Sequence, residues 1–258
     1  MPTLYVNEIG NLSAPSILFI HGIGVAGWMW KQQIATFPDY HCLNVDLPGH
    51  GKSNHVPWVS LADTADQIAS IIRERATNGK AHIVGLSLGG HVGLAVLERH
   101  PEVVDHAVIS GVTDGPMPNQ MWLKPQTALM SFLLKQRWFM NSLAQSMQLP
   151  ADLKADLAEG LKALSTQAYR DIWQEAVHFH VTPAIQSVHA PTLIVAGGKE
   201  TDLIKQTVVK IANLMPHAEG RIAPGVGHGW NFEAPDLFSA MVRAWIMDAP
   251  LPSALQAA

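Results

Sequence analysis

The sequence predicts an α/β protein with a mostly parallel, doubly wound β-sheet and an all-helical insertion. Short, continuously apolar runs alternate with longer stretches of helical periodicity, and such runs are typical of parallel strands covered on both faces. This alternation stops between Gly115 and about Pro183, where no strand pattern is visible. A regular β-then-α rhythm with one helical interruption indicates a doubly wound sheet that carries an insert.

Six apolar runs are predicted to form the central strands, and one alternating run an edge strand. In chain order the apolar runs are Ser16–Ile20, His41–Val45 and residues 82–85, 106–110, 192–196 and 220–223. The last of these runs is the weakest. Residues 3–8 alternate between apolar and polar side chains, which predicts an antiparallel edge strand.

Three helices of the core have clear signals. Leu61–Arg75 repeats apolar residues at helical spacing, Leu88–Arg99 follows a strand directly and ends before Pro101, and Pro235–Ile246 has one apolar side. The insertion is predicted to be helical because its leucines recur at the same spacing. We therefore expect a core of residues 1–114 and 184–258 and a helical cap of residues 115–183.

Composition and charge exclude several classes of protein. Hydrophobic residues make up 48% of the chain and charged residues 15%, which is typical of a globular protein rather than a disordered one. The net charge of −4 and the lack of a long basic run argue against a nucleic-acid partner. Cys42 is the only cysteine, so an internal disulfide and a multi-cysteine metal site are both excluded. Without a secretory signal or an apolar run of membrane-spanning length, we expect a cytoplasmic protein.

The stretch Gly85-Leu86-Ser87-Leu88-Gly89 is the most informative motif. A predicted strand leads into it and a predicted helix leads out, which is the context of a nucleophile elbow. Small residues two positions before and after the serine let the chain turn sharply and expose the Ser87 hydroxyl at the start of the helix. The amide of Leu88 points the same way and is expected to stabilise a negatively charged oxygen. Neither a P-loop nor a dinucleotide-binding glycine pattern is present.

Three further loops follow predicted strands. His21-Gly22-Ile23-Gly24 follows the first buried strand, and we assign the second oxyanion donor to the amide of Ile23, with His21 in a structural role. The loop that begins with Asp46 reads as a rigid turn. In the last loop, glycines flank His228, which indicates a tight turn presenting that imidazole as the general base.

Together, these segments resemble the α/β-hydrolase superfamily, most closely the small bacterial carboxylesterases and lactonase-like members with a helical cap. The resemblance covers about residues 3–247 and rests on His21-Gly22-Ile23-Gly24, Asp46-Leu47-Pro48-Gly49-His50-Gly51-Lys52-Ser53, Gly85-Leu86-Ser87-Leu88-Gly89-Gly90 and Gly227-His228. It implies an α/β-hydrolase fold, a triad of Ser87, His228 and an acid, and oxyanion amides on Ile23 and Leu88. Neither a metal nor an organic cofactor is needed for this chemistry.

Three carboxylates compete for the place of the triad acid. Glu200 lies three residues after Gly197, where the family pattern places its acid, whereas Asp202 has the shorter side chain that more often orients the histidine. Asp114, after the fourth predicted strand, corresponds to the position used by some lipases of the superfamily. We favour Glu200, then Asp202, then Asp114.

The predicted activity is hydrolysis of a small to medium, mainly apolar carboxylic ester through an acyl-enzyme. Lactones and C–C bonds cleaved by the same triad are alternatives, as is a slow-turnover, ligand-binding signalling protein. In the insertion, His178, His180 and Arg137 read either as a carboxylate-selecting set or, preferably, as a solvated helix face. The residues expected to contact the substrate are Gly22, Gly24, Trp122, Trp138 and Trp230.

Overall fold

A computed structural model describes residues 3–115 and 123–258 of the chain, and these residues form one eight-stranded sheet. The strand order across the sheet is β1-β3-β2-β4-β5-β6-β7-β8. The strands are β1 (Val6–Gly10), β2 (Ser16–Ile20), β3 (His41–Val45), β4 (Ala81–Leu86), β5 (Val104–Ser110), β6 (Thr192–Gly197), β7 (Ala218–Ala223) and β8 (Gln256–Ala257). All pairings from β3 to β7 are parallel, and the two edge strands β1 and β8 pair antiparallel.

Helices follow most of the strands. They are α1 (Lys31–Ile34), α2 (Leu61–Arg75), α3 (Leu88–Arg99), α4 (Leu123–Leu133), α5 (Arg137–Ser146), α6 (Lys154–Ala163), α7 (Thr166–His178), α8 (Asp202–Leu214), α9 (Trp230–Glu233) and α10 (Pro235–Ile246). In the described residues, no helix is both long enough and apolar enough to cross a membrane.

The predicted doubly wound sheet is confirmed, and the elements with strong local signals lie where they were expected. Helices α2, α3 and α10 begin and end at the residues predicted from the sequence. The edge strand begins at Val6 rather than Thr3, because pairing with β3 starts opposite Val45. Strand β8 was not predicted, since two residues are too few for an alternating pattern.

The parallel register brings the ends of five strands to one edge of the sheet. Ile20 of β2 pairs with Gly85 of β4, and Leu86 of β4 pairs with Ser110 of β5. Strands β6 and β7 continue the same edge. The loops after β2, β4, β6 and β7 therefore meet there, which is where ligands bind in open parallel sheets.

Helices α4 to α7 lie between β5 and β6 in the chain, and polar contacts tie α7 and its flanks to the sheet domain. The carboxylate of Glu175 accepts hydrogen bonds from Trp58 Nε1 (2.8 Å) and from the amide of Leu61 (3.1 Å) at the start of α2. Asp114 Oδ1 accepts one from the amide of Val181 (2.9 Å). Within the group, α4 packs on α7 and α5 on α6.

Several histidines of the sheet domain are buried and are held neutral. The ring of His21 accepts a hydrogen bond from the amide of Leu47 (2.9 Å) at Nε2 and donates one from Nδ1 to the carbonyl of Gly22 (2.7 Å). Burial lowers the pKa of His21 to about 4 and, with the nearby His21 ring, that of His50 to about 3. Burial likewise lowers the pKa of His82 and His91 to about 4. Their neutral forms are therefore part of the folded structure.

Acid should destabilise the fold through these histidines. An unfolded imidazole takes up a proton below its ordinary pKa of 6.5, whereas folded His21 does not until about pH 4. The free energy of unfolding should therefore fall as the pH drops from about 6.5, by up to about 1.4 kcal/mol per pH unit for each such histidine. His21→Asn should reduce the slope of the unfolding free energy against pH by the contribution of one histidine. Urea unfolding between about pH 7 and about pH 5 measures this slope.

The slope is the readout, because His21→Asn also removes two hydrogen bonds and lowers the stability at every pH. Exposed His55 provides the matched control, and His55→Asn should leave the slope as it is in the wild type. An unchanged slope in the His21 variant would show that folding does not lower the pKa of this ring.

Candidate active site

Ser87 lies in the turn from β4 to α3 and has a backbone conformation that is rare for a non-glycine residue. Its φ is 59° and its ψ is −117°. A Cβ atom on Gly85 would lie 2.3 Å from the carbonyl oxygen of Gly89, and one on Gly89 would lie 2.0 Å from that of Ile20. Only glycine fits at these two positions, because the turn brings backbone against backbone. Ser87 is half-buried and lines a cavity at this edge of the sheet.

The predicted oxyanion donors lie on either side of Ser87. Leu88 is the first residue of α3, where backbone amides have no carbonyl partner within the helix. A Cβ atom on Gly22 would lie 3.4 Å from Cβ of Ser87, so the loop after β2 passes directly beside the serine. Ile23, the next residue, lines the same cavity as Ser87. This geometry suits two amides that converge on one developing negative charge.

His228 lies in the loop after β7 and is paired with a buried carboxylate. Its Nδ1 lies 2.9 Å from Oε2 of Glu200, whose side chain is only 2% exposed. The other oxygen of Glu200 accepts a hydrogen bond from the amide of Gly197 (3.1 Å). The imidazole is itself half exposed and lines the same cavity as Ser87. A carboxylate held in this way fixes the ring orientation and leaves Nε2 as the ring nitrogen that can exchange a proton with Ser87.

The two other candidate acids are occupied elsewhere. Asp202 begins α8, has a side chain that is 85% exposed, and pairs with Lys205 at 2.9 Å. Asp114 is buried, where its carboxylate pairs with Lys210 (2.7 Å) and accepts the hydrogen bond from Val181. Of the three carboxylates, Glu200 is the one in contact with His228.

The cavity above Ser87 has a volume of about 770 Å³ and a mainly apolar lining. The loop after β2 contributes Gly22 and Gly24, both expected to contact the substrate. Helices α4 to α7 supply most of the remaining wall, including Leu133, Phe139, Leu161, Tyr169 and Trp173. Burial raises the pKa of Tyr169 to about 12, so its phenol is neutral.

Of the three tryptophans expected to contact the substrate, the two that the structure describes do not line this cavity. Trp230 is fully buried in the core, where its Nε1 donates a hydrogen bond to Ser110 Oγ (3.0 Å). Trp138 is 64% exposed on α5. Both expectations are therefore corrected, because one ring packs in the core and the other faces solvent. Trp122 lies outside the described residues.

Two residues close to the reacting groups escaped the sequence analysis. A Cβ atom on Gly111, whose φ is +65°, would lie 2.9 Å from the ring of His228, so this glycine makes room for the imidazole. Its signal was its position directly after β5. Trp173 lines the cavity from α7, but its helical spacing is equally typical of a core residue.

Comparisons with known proteins agree on one family. A model of the alpha/beta hydrolase family matches residues 17–241. An AB hydrolase superfamily protein from Gibberella zeae is 26% identical over 254 residues, covering 95% of this chain and 85% of its own. The 3-oxoadipate enol-lactonase 2 of Acinetobacter baylyi is 24% identical over 250 residues, covering 91% and 90%. The structure of a thermophilic esterase from Thermogutta terrifontis superposes with a TM-score of 0.77 at 18% identity, covering 95% and 93%.

The contact between Glu200 and His228 predicts which carboxylate supports the reactivity of Ser87. Glu200→Gln should slow covalent labelling of Ser87 by a fluorophosphonate by about 10²- to 10⁴-fold, because the amide no longer stabilises the protonated imidazole. Labelling rates followed by intact-protein mass spectrometry measure this effect. Asp202→Asn is the matched control on the same loop and should label at the wild-type rate. The assignment is wrong if the Asp202 variant loses reactivity and the Glu200 variant keeps it.

Proposed function

The chain belongs to the alpha/beta hydrolase family, and we propose that it is a serine hydrolase that cleaves small to medium, mainly apolar carboxylic esters. One observation carries this proposal. Ser87 and His228, which are far apart in the sequence, line one apolar cavity, and His228 is hydrogen-bonded to the buried Glu200. A nucleophile, a base and an acid that orients the base are the parts that acyl transfer requires.

In the first step, His228 Nε2 removes the hydroxyl proton of Ser87 as Oγ attacks the ester carbonyl carbon. The carbonyl oxygen becomes negative and is stabilised by the amides of Ile23 and Leu88. The C–O bond to the alcohol then breaks, and the alcohol leaves with the proton from His228. The carboxylate of Glu200 stabilises the imidazolium between these two proton transfers.

In the second step, a water molecule takes the place of the alcohol. His228 removes one of its protons, and the resulting hydroxide attacks the acyl carbon of the acyl-enzyme. The same two amides stabilise the second oxyanion. Ser87 then leaves, recovering its proton from His228, and the carboxylic acid is released.

Helices α4 to α7 act in this proposal as a cap that encloses the substrate. Their apolar side chains make up most of the cavity wall, while the loops of the sheet edge hold the reacting groups. Burial in such a cavity favours uncharged acyl and alkyl groups, because a charged group would lose its hydration against the apolar part of the wall. This supports an apolar ester as the substrate class.

The similarity to an enol-lactonase favours a lactone, which is a cyclic ester, as the second candidate substrate. The same triad would open it without a departing alcohol. A C–C bond hydrolase or a slow-turnover binding protein would also keep these residues, so turnover of defined substrates has to separate the classes.

We expect the wild-type protein to hydrolyse p-nitrophenyl butyrate, and Ser87→Ala to lower kcat by at least about 10³-fold, because the nucleophile is lost. Release of p-nitrophenol measures both rates, and dihydrocoumarin, a lactone, is assayed in parallel by proton release. Ser53→Ala, at a buried serine outside the cavity, is a control for the general effect of removing a hydroxyl.

Each result has a separate meaning. Full activity in Ser87→Ala would refute the mechanism. Negligible turnover of p-nitrophenyl butyrate, p-nitrophenyl acetate and dihydrocoumarin by the wild type would instead point to the slow-turnover binding protein. A marked preference for the lactone would assign the enzyme to the lactonases within the same mechanism.

A further inference from the structure

A second, smaller cavity also reaches Ser87 and His228. Its volume is about 130 Å³, compared with about 770 Å³ for the larger one. Ile23 and Trp173 line both cavities together with the two reacting residues. The reacting groups thus lie where a large and a small compartment meet, with Ile23 from the sheet edge and Trp173 from α7 at the boundary.

Two compartments suit the shape of an ester. The carbonyl carbon carries an acyl chain on one side and an alkoxy group on the other. The two substituents extend from the reacting carbon in different directions, so each needs its own space. We propose that the small cavity binds one of these two substituents, as a short, uncharged apolar group, while the other, longer substituent occupies the large cavity. This assignment rests on the ester hydrolysis proposed above.

The size of the small cavity limits the shorter substituent. An apolar cavity of about 150 Å³ in another protein takes up one benzene molecule. A volume of 130 Å³ therefore accommodates a group of up to roughly six carbon atoms. Ile172 and Val177 of α7 are buried in its wall, so enlarging the space would require moving a packed helix.

The lining selects against a charged substituent. Most of the side chains are aliphatic, among them Leu88, Ala176 and Ile204. His91, another ring in the lining, is buried against Phe179 and is neutral, since burial lowers its pKa to about 4. A carboxylate placed here would lose its hydration, and the described lining residues include no lysine or arginine to pair with it. Lys199, by contrast, lines the large cavity, so an acidic substituent would have to lie on that side.

Ala176 offers a direct test, because its small side chain lines the small cavity and not the large one. Ala176→Leu adds three carbon atoms to a space that holds about six. Gln174→Leu, on the exposed side of the same helix, is the matched control. Both variants introduce leucine into α7, so they share any effect on the helix itself.

Two pairs of esters identify the side of the substrate that is bound. Butyl octanoate and methyl octanoate differ in the alkoxy group, whereas heptyl pentanoate and heptyl acetate differ in the acyl chain. In Ala176→Leu we expect the rate ratio of the four-carbon to the one-carbon member to fall by at least about tenfold in one pair, because the added side chain displaces the longer group. The pair that responds shows whether the small cavity holds the alkoxy group or the acyl chain. Gln174→Leu should keep both ratios within about twofold of the wild type.

Benzene binding provides a readout that does not depend on catalysis. In the wild type and in Ser87→Ala, benzene should shift the methyl NMR signals of Val177 and Ile204, and Ala176→Leu should weaken its Kd at least about tenfold. Unchanged ester ratios and unchanged benzene binding in Ala176→Leu would overturn the small-cavity assignment while leaving the hydrolase intact. Benzene binding that is lost in Ala176→Leu, combined with no ester turnover by the wild type, would overturn the proposed function and leave an apolar binding pocket.

Discussion

The structure depends on one tight turn, in which β4 passes into α3 at Ser87. The positive φ of 59° at a serine costs roughly 1–3 kcal/mol and persists only where the surroundings enforce it. Two backbone hydrogen bonds hold Ser87 in this conformation. Its amide donates to the carbonyl of Ser110 on β5 (2.8 Å), and its carbonyl accepts from the amide of His91 on α3 (3.0 Å). The strand and the helix are thus both fixed to the turn. The loop after β2 can approach it closely because Gly89 has no side chain to collide with Ile20.

The sequence was sufficient to predict this arrangement wherever the signal was local. Gly85, for example, is demanded by its contact with the backbone of Gly89 only four residues later, so it is readable without a structure. No short sequence motif decides whether Glu200 or Asp202 contacts His228. Glu200 turns inward because the amide of Gly197 binds one of its oxygens, whereas Asp202 begins α8 and pairs with Lys205 in solvent. The side-chain types of two acidic residues two positions apart do not separate those outcomes, so only the resemblance to the family spacing favoured Glu200.

The tryptophans illustrate a second limit of sequence analysis. An aromatic residue at helical spacing packs in the core, faces a cavity or lies exposed, depending on where neighbouring helices pass. Trp230 fills the core and Trp138 faces solvent, while Trp173, on α7, lies between the two cavities. Hydrophobicity is the same in all three cases, so only the packing of the helices distinguishes them.

Hydrogen bonds between uncharged groups hold the framework around the reacting groups. This is relevant because the proposed base, His228, has to gain and lose a proton. The neutral ring of His21 links the loop after β2 to Leu47, and the neutral ring of His91 lies against the small cavity. Both are enclosed, whereas His228 is half exposed and paired with Glu200. In the proposed mechanism, the carboxylate of Glu200 and solvent stabilise protonated His228, while the histidines that fix the loops stay uncharged. Because α7 is anchored through Glu175 to Trp58 and Leu61, the wall between the two cavities is also fixed independently of that proton. In the proposed mechanism, substrate size is therefore controlled by α7 and proton transfer by the loops at the sheet edge, which are separate parts of the molecule.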